Sequence, residues 1–152
     1  QKVQIESGVT MQESLYHNKV SYSDELEGRY EFLRTPNKYG YATFNFTPFD
    51  RFNFVANIVH TGKMVLVHMA GSPEQIEDEY FTSEVFNVIA LKATYIHKFK
   101  KVGVKLEYSI GIKNLTNAYQ NNFDTLKNRD SNFIYGPVTP RTVWFGFKLG
   151  TI

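Results

Sequence analysis

The chain has no cysteine, which excludes disulfides and thiolate chemistry and removes any cue to redox compartment. It also has little excess charge. A formal net of +2 does not call for nucleic acid, and the basic residues are scattered except for the short cluster His97-Lys98-Phe99-Lys100-Lys101. No apolar run approaches the ~18–20 residues of a membrane-spanning helix. There is no glycine-rich phosphate loop, no zinc spacing and no nucleophile motif, so no catalytic residue, cofactor or metal site is expected. The opening residues Gln1-Lys2-Val3-Gln4-Ile5-Glu6 already alternate and do not read as a signal peptide. What the chain does have is aromatics. Its 13 Phe, 10 Tyr and one Trp make 16% of the residues, and Phe and Tyr favour pleated, half-buried surfaces. A length of 152 residues suggests one domain.

The hydrophobic period is two. In 104–113, Val104, Leu106, Tyr108, Ile110 and Ile112 alternate with Lys105, Glu107, Ser109, Gly111 and Lys113. A helix would mix these two sets on every face, whereas a strand separates them. Val3, Ile5, Val9 and Met11 alternate similarly with polar neighbours, and residues 39–46, 52–61 and 142–149 follow. Residues 85–96 are apolar on both sides; Val, Ile, Phe and Tyr favour a strand there, although Ala90-Leu91-Lys92-Ala93 would suit a helix. The expected fold is therefore all-β, an antiparallel up-and-down meander of about six strands.

The connections alternate long, short, long, short, long. Residues 17–37, 62–83 and 117–140 are long; 47–51 and 98–102 are tight. Loops beyond ~12–15 residues are uncommon in compact domains. Outer-membrane barrels alternate in this way, with short periplasmic turns and long extracellular loops, and their lumen faces are polar. Lys105, Glu107 and Lys113 on one side of one strand suit such a lumen. A soluble sandwich or small barrel with one wet face gives the same alternation, and a small soluble barrel binding an apolar ligand is the alternative. It expects Val104, Leu106, Tyr108, Ile110 and Ile112 packed inward. An outer-membrane barrel enzyme would need a polar catalytic cluster at the loop ends, and no convincing one is legible. Six strands are fewer than the smallest transmembrane barrels use, so a membrane reading makes the chain part of a larger barrel.

The stretches LEYSIGIKNLTNAYQNNFD (residues 106–124) and RDSNFIYGPVTPRTVWFGFKLG (residues 129–150) resemble the carboxyl end of TonB-dependent outer-membrane receptors. The first carries Lys113-Asn114-Leu115-Thr116-Asn117-Ala118-Tyr119, and the second carries Gly136-Pro137 and Pro140-Arg141-Thr142 before the last strand. Residues 31–48 and 60–71 are similar to upstream strands of the subgroup that includes cobalamin and siderophore receptors. One departure is the ending Phe147-Lys148-Leu149-Gly150-Thr151-Ile152, since many outer-membrane barrels end on an aromatic residue. The resemblance implies that residues 1–152 are the carboxyl-terminal portion of a barrel of about 22 strands, lacking the plug and earlier strands. It further implies the outer membrane of a Gram-negative bacterium, surrounding lipid, TonB acting through the plug, and transport of a scarce nutrient such as a ferric siderophore, cobalamin or haem, without enzymatic activity. An isolated six-stranded piece would expose two edges and is expected to self-associate.

Ligand contacts are expected in residues 29–34, 64–70 and 133–138, from Arg29, Arg34, Met64, His68, Phe133 and Tyr135. Structural roles are expected for five motif residues. Asn114 and Asn117 can end a strand in a turn, and Tyr119 offers an interfacial ring. Pro140 pre-extends Thr139 ahead of Arg141. Of the histidines, His17, His60, His68 and His97 lack metal-ligand spacing, and His60 and His68 read more simply as exposed loop residues. The acidic run Glu74, Glu77, Asp78 and Glu79 reads as a solvated loop, and Asp124, Arg129 and Asp130 as ties within theirs.

Overall fold

Six long segments with a two-residue period become six strands of one antiparallel sheet. In a computed structural model describing residues 2–73 and 75–152, the strands in chain order are β1 (Lys2–Met11), β2 (Leu15–Val20), β3 (Arg29–Glu31), β4 (Lys38–Phe49) and β5 (Phe52–Thr61), then β6 (Val65–His68), β7 (Glu79–Thr82), β8 (Phe86–Phe99), β9 (Val104–Lys113) and β10 (Thr142–Thr151). No helix occurs among the described residues. The long strands run in the order β1-β4-β5-β8-β9-β10, an up-and-down meander with β1 and β10 at its edges.

The tight connections are shorter than expected. β4 continues through Pro48 to Phe49. Its register with β5 shifts between Phe46 and Phe49, so the proline sits where ladder bonding is interrupted and its missing N–H costs little. β8 likewise continues through His97 to Phe99, so the first three residues of the basic cluster belong to a strand.

The long connections differ more from expectation. Two of them, expected as long loops, contain hairpins: β2 pairs β3, and β6 pairs β7. The first lacks a long alternating run and is held by its own packing, with Tyr16 stacked on Phe32 at 4.0 Å.

Register separates the sheet into unlike sides. Ile5, Phe44, Ala56, Leu91, Ile112 and Val143 stand opposite one another in a single row across all six strands. Val3, Phe46, Phe54, Ala93, Ile110 and Phe145 form the next row towards the tight turns. Beyond it, Phe49, Phe52, Tyr95, Tyr108 and Phe147 make an aromatic row over five strands. Its rings meet at 4.8 Å (Phe52 and Tyr95) and 5.7 Å (Tyr108 and Phe147). At the loop end, this apolar side closes with His60, whose Nδ1 lies 2.8 Å from Asn87 Oδ1.

The other side is more polar, although Val55, Val59, Val88 and Ile96 also lie on it. Asn57 donates to Thr43 Oγ1 at 2.9 Å, and Asn53 donates to Asn45 and Thr47. Trp144 lies across Gly111; a Cβ at residue 111 would come within 2.5 Å of the indole, so only glycine leaves room for it.

Burial runs against the usual plan of a soluble domain. The apolar side of the sheet is open, with Ile5 69%, Ile110 47% and Phe145 71% exposed. Among the described residues, the buried apolar side chains are those of Leu66, Phe86 and Phe133. Leu66 lies on β6, Phe133 in the connection between β9 and β10, and Phe86 at the loop end of β8. The packed core therefore sits among the long connections, not on the sheet.

Candidate functional site

The three long connections lock together at one end of the sheet. At the centre is His68, the last residue of β6 and only 7% exposed. Alternation along β6 points Leu66 and His68 the same way, into the connection that follows β9. The imidazole stacks on Phe133 with centroids 3.7 Å apart and planes at 6°. Its Nε2 is 2.9 Å from Asp124 Oδ1, and its Nδ1 is 3.8 Å from Glu79 Oε1. Glu79 is its cross-strand partner on β7. Phe81 meets Phe133 edge-on at 5.3 Å, and Tyr135 packs against both. The exposed-loop reading of His68 is thus corrected: the ring is a core element, and its partner Asp124 lies 56 residues away.

Asp124 organises the connection around it. Its Oδ2 accepts from the Asp130 backbone N–H at 2.8 Å, while Asp130 accepts from the backbone N–H groups of Met69 and Asn132 at 3.1 and 2.8 Å. Burial pushes the Asp124 carboxyl up, but the Asp130 N–H and His68 outweigh it and hold it below its ordinary value. Gln120 serves as a surrogate strand edge. Its Nε2 donates to Phe133 O at 2.8 Å, and its Oε1 accepts from Tyr135 N at 2.9 Å.

Asn114 fixes where this connection leaves β9. It is 1% exposed and adopts φ 48°. Its Oδ1 accepts from Ala118 N, and its Nδ2 donates to Ala118 O and Thr139 O, all within 2.9 Å. Asn117, at φ 53°, accepts from Arg141 N at 3.0 Å. Thr142 Oγ1 donates to Pro140 O at 2.9 Å. Both residues thus take left-handed backbone just after β9 ends at Lys113. Tyr119 is 49% exposed beside them.

The first hairpin joins through Arg34 and Tyr80. Arg34 N donates to Val65 O at 2.8 Å, and its Nη1 donates to Ile134 O at 3.0 Å. Tyr80 Oη donates to Glu27 O at 2.8 Å, and the Arg29 guanidinium lies 4.2 Å from the Tyr80 ring centroid. Asp78 accepts from Ala70 N at 2.7 Å; this bond and one from the Ser23 hydroxyl keep its carboxyl below its ordinary value, the Ser23 bond contributing most. Asp78 is therefore a tie rather than a solvated charge, and Glu79 faces His68. Glu74 of the same acidic run lies outside the described residues.

The six residues singled out for ligand contact fall into three places. His68, Phe133 and Tyr135 form one cluster, with Arg34 reaching its border at Ile134. Arg29 stands apart, lining an open cleft of about 490 Å³ with Lys19, Glu27, Tyr30 and Tyr80. Met64 lines a separate hollow of about 190 Å³ with Phe32, Thr35 and Lys63, its backbone N–H donating to Ser83 Oγ at 3.0 Å. Gln120, Tyr80 and Phe81 escape a reading of the sequence, because each acts through partners distant in the chain. Among the described residues no group of His, Asp and Glu is arranged to hold a metal ion. Comparison of the chain with protein families, with curated proteins and with solved structures finds no match.

Proposed function

We propose that the chain is a wall segment of an outer-membrane, TonB-energised receptor that takes up a scarce nutrient such as a ferric siderophore, cobalamin or haem. In this reading the open apolar side meets lipid, the polar side lines the lumen, and the three braced connections face outward to meet the nutrient. The observation that carries the reading is the inverted burial: apolar rows uncovered across the strands, with the packed core in the connections. Two features support it. The long strands have 10 to 14 residues, enough for the ~9–11 that a tilted strand needs to cross a bilayer. The aromatic row from Phe49 to Phe147 lies near the tight-turn end, where a barrel carries an interfacial girdle. The chain would contribute positioning and recognition, with no bond made or broken.

The test is topology followed by transport. Val138 and Val102 are 83% and 71% exposed, the first in a long connection and the second in a tight turn. In cells of a Gram-negative host making the full-length protein, V138C should react with a membrane-impermeant maleimide from outside, and V102C only after permeabilisation. Uptake of the nutrient should stop when TonB is deleted. Recovery of the protein in the soluble fraction, or the reverse labelling pattern, overturns the proposal.

A further inference from the structure

Near the tight turns, the polar side of the sheet carries an unbalanced set of lysines. Lys98 of β8 stands directly opposite Lys105 of β9. Lys148 of β10 stands opposite Glu107 and diagonal to Lys105. Lys92, opposite Gly111, lies on the same side further from the turn. Four lysines less Glu107 leave +3 on this part of the sheet. None of the five side chains forms an ion pair among the described residues. Like charges directly opposite on a sheet are destabilising, and Glu107, shared with Lys148 across the strands, is the one carboxylate among them to set against the Lys98 and Lys105 pair. The surroundings are low: Ser109, Gly146 and Gly150 present little side chain, and the Lys105 stem lies close over Gly150, where a Cβ would be 3.3 Å from its Cε.

We propose that this lysine face binds an acidic, extended polypeptide segment. Three arguments select that occupant. The face is polar, while the surface suited to lipid tails is on the opposite side of the sheet. Its cations are spread over three adjacent strands rather than gathered around one point, which disfavours a single phosphate. Lys105 and Lys148 are diagonal neighbours, roughly 7–8 Å apart at the backbone, and carboxylates at alternate positions of an extended segment repeat at about 7 Å. The inference does not depend on the receptor reading, since it uses only the register and charge of this face.

Trp144, the single tryptophan, stands on the same side, so its emission reports occupancy. The chain in detergent micelles would be titrated with hexaglutamate peptide, inorganic phosphate and phosphatidylglycerol vesicles. Hexaglutamate should shift Trp144 emission saturably. K98Q/K105Q/K148Q should weaken binding about fivefold or more, as expected for several exposed ion pairs. K100Q/K101Q, altered in the turn, should bind as the unsubstituted chain does. K105Q alone, which relieves the opposed pair, provides the same reading, as a smaller loss, should the triple variant lose its far-UV strand signal. No saturable shift, equal weakening by K100Q/K101Q, or stronger binding of phosphate or vesicles through the same lysines overturns the inference.

Discussion

Asn114 shows how much one side chain can decide. It takes a left-handed backbone that most residues resist, and its amide makes three bonds within 2.9 Å that join the exit of β9 to the approach to β10. Asn114→Ala should cost about 2–4 kcal/mol, from unsatisfied buried groups and backbone strain. Asn114→Gly should cost less, because it relieves only the strain. Thermal midpoints of the two variants check the order; equal losses would mean the backbone conformation contributes nothing. Asp124 adds a pH dependence. Its folded carboxyl titrates below its unfolded value, so its contribution is present above about 3.8 and is lost as pH falls through the folded value. Amide exchange at Asp130, whose N–H it accepts, should therefore be protected at neutral pH and released on acidification. His68→Ala should move the Asp124 titration upward, since one of the groups holding it down is gone, and carboxyl chemical shifts would record the change.

At the scale of elements, the six long strands are legible because each alternates over many residues, and the period alone separates the two sides of Val104–Lys113. The rows across the sheet are not legible in that way. They depend on register, and a one-residue slip would scatter Ile5, Phe44, Ala56, Leu91, Ile112 and Val143. The short hairpins are hidden for another reason. β3 has three residues and β6 has four, too few for a period to show, and β6 is fixed by what it packs on. Turn chemistry revealed Asn114, whereas His68 and Asp124 lie 56 residues apart and nothing local marks either as the other's partner. The apolar rows also give an element-scale prediction. Ile110→Lys, mid-row on β9, should lower stability in lipid vesicles by about 2–4 kcal/mol. Ser109→Lys on the polar side should change it little. Urea unfolding in bilayers compares them, and indifference to Ile110→Lys would argue against a lipid-facing side.

For the whole molecule, the unpaired edges dominate. β1 and β10 run in opposite directions, because five antiparallel steps separate them, so β10 of one copy can pair with β1 of the next in the sheet's own antiparallel sense. Their large apolar side chains are exposed, from Val143 at 57% to Phe147 at 76%, and open edges invite such pairing. The isolated chain should therefore form concentration-dependent oligomers in sedimentation velocity experiments, and β10 edge substitutions by proline should shift it towards monomer. A single species over a hundredfold dilution would contradict this.

The two rims of the sheet are held differently. At one, backbone bonds, the His68 and Asp124 pair and stacked rings bind the connections into a single collar. At the other, the strands are joined by short turns such as the one around Gly103 and by the aromatic row, with no collar of packed connections. The collar makes one rim stiff and leaves the other compliant. A pull or push on the sheet would therefore pivot about the braced rim, and at the other rim strands would part first where no tight turn joins them, as between β1 and β4.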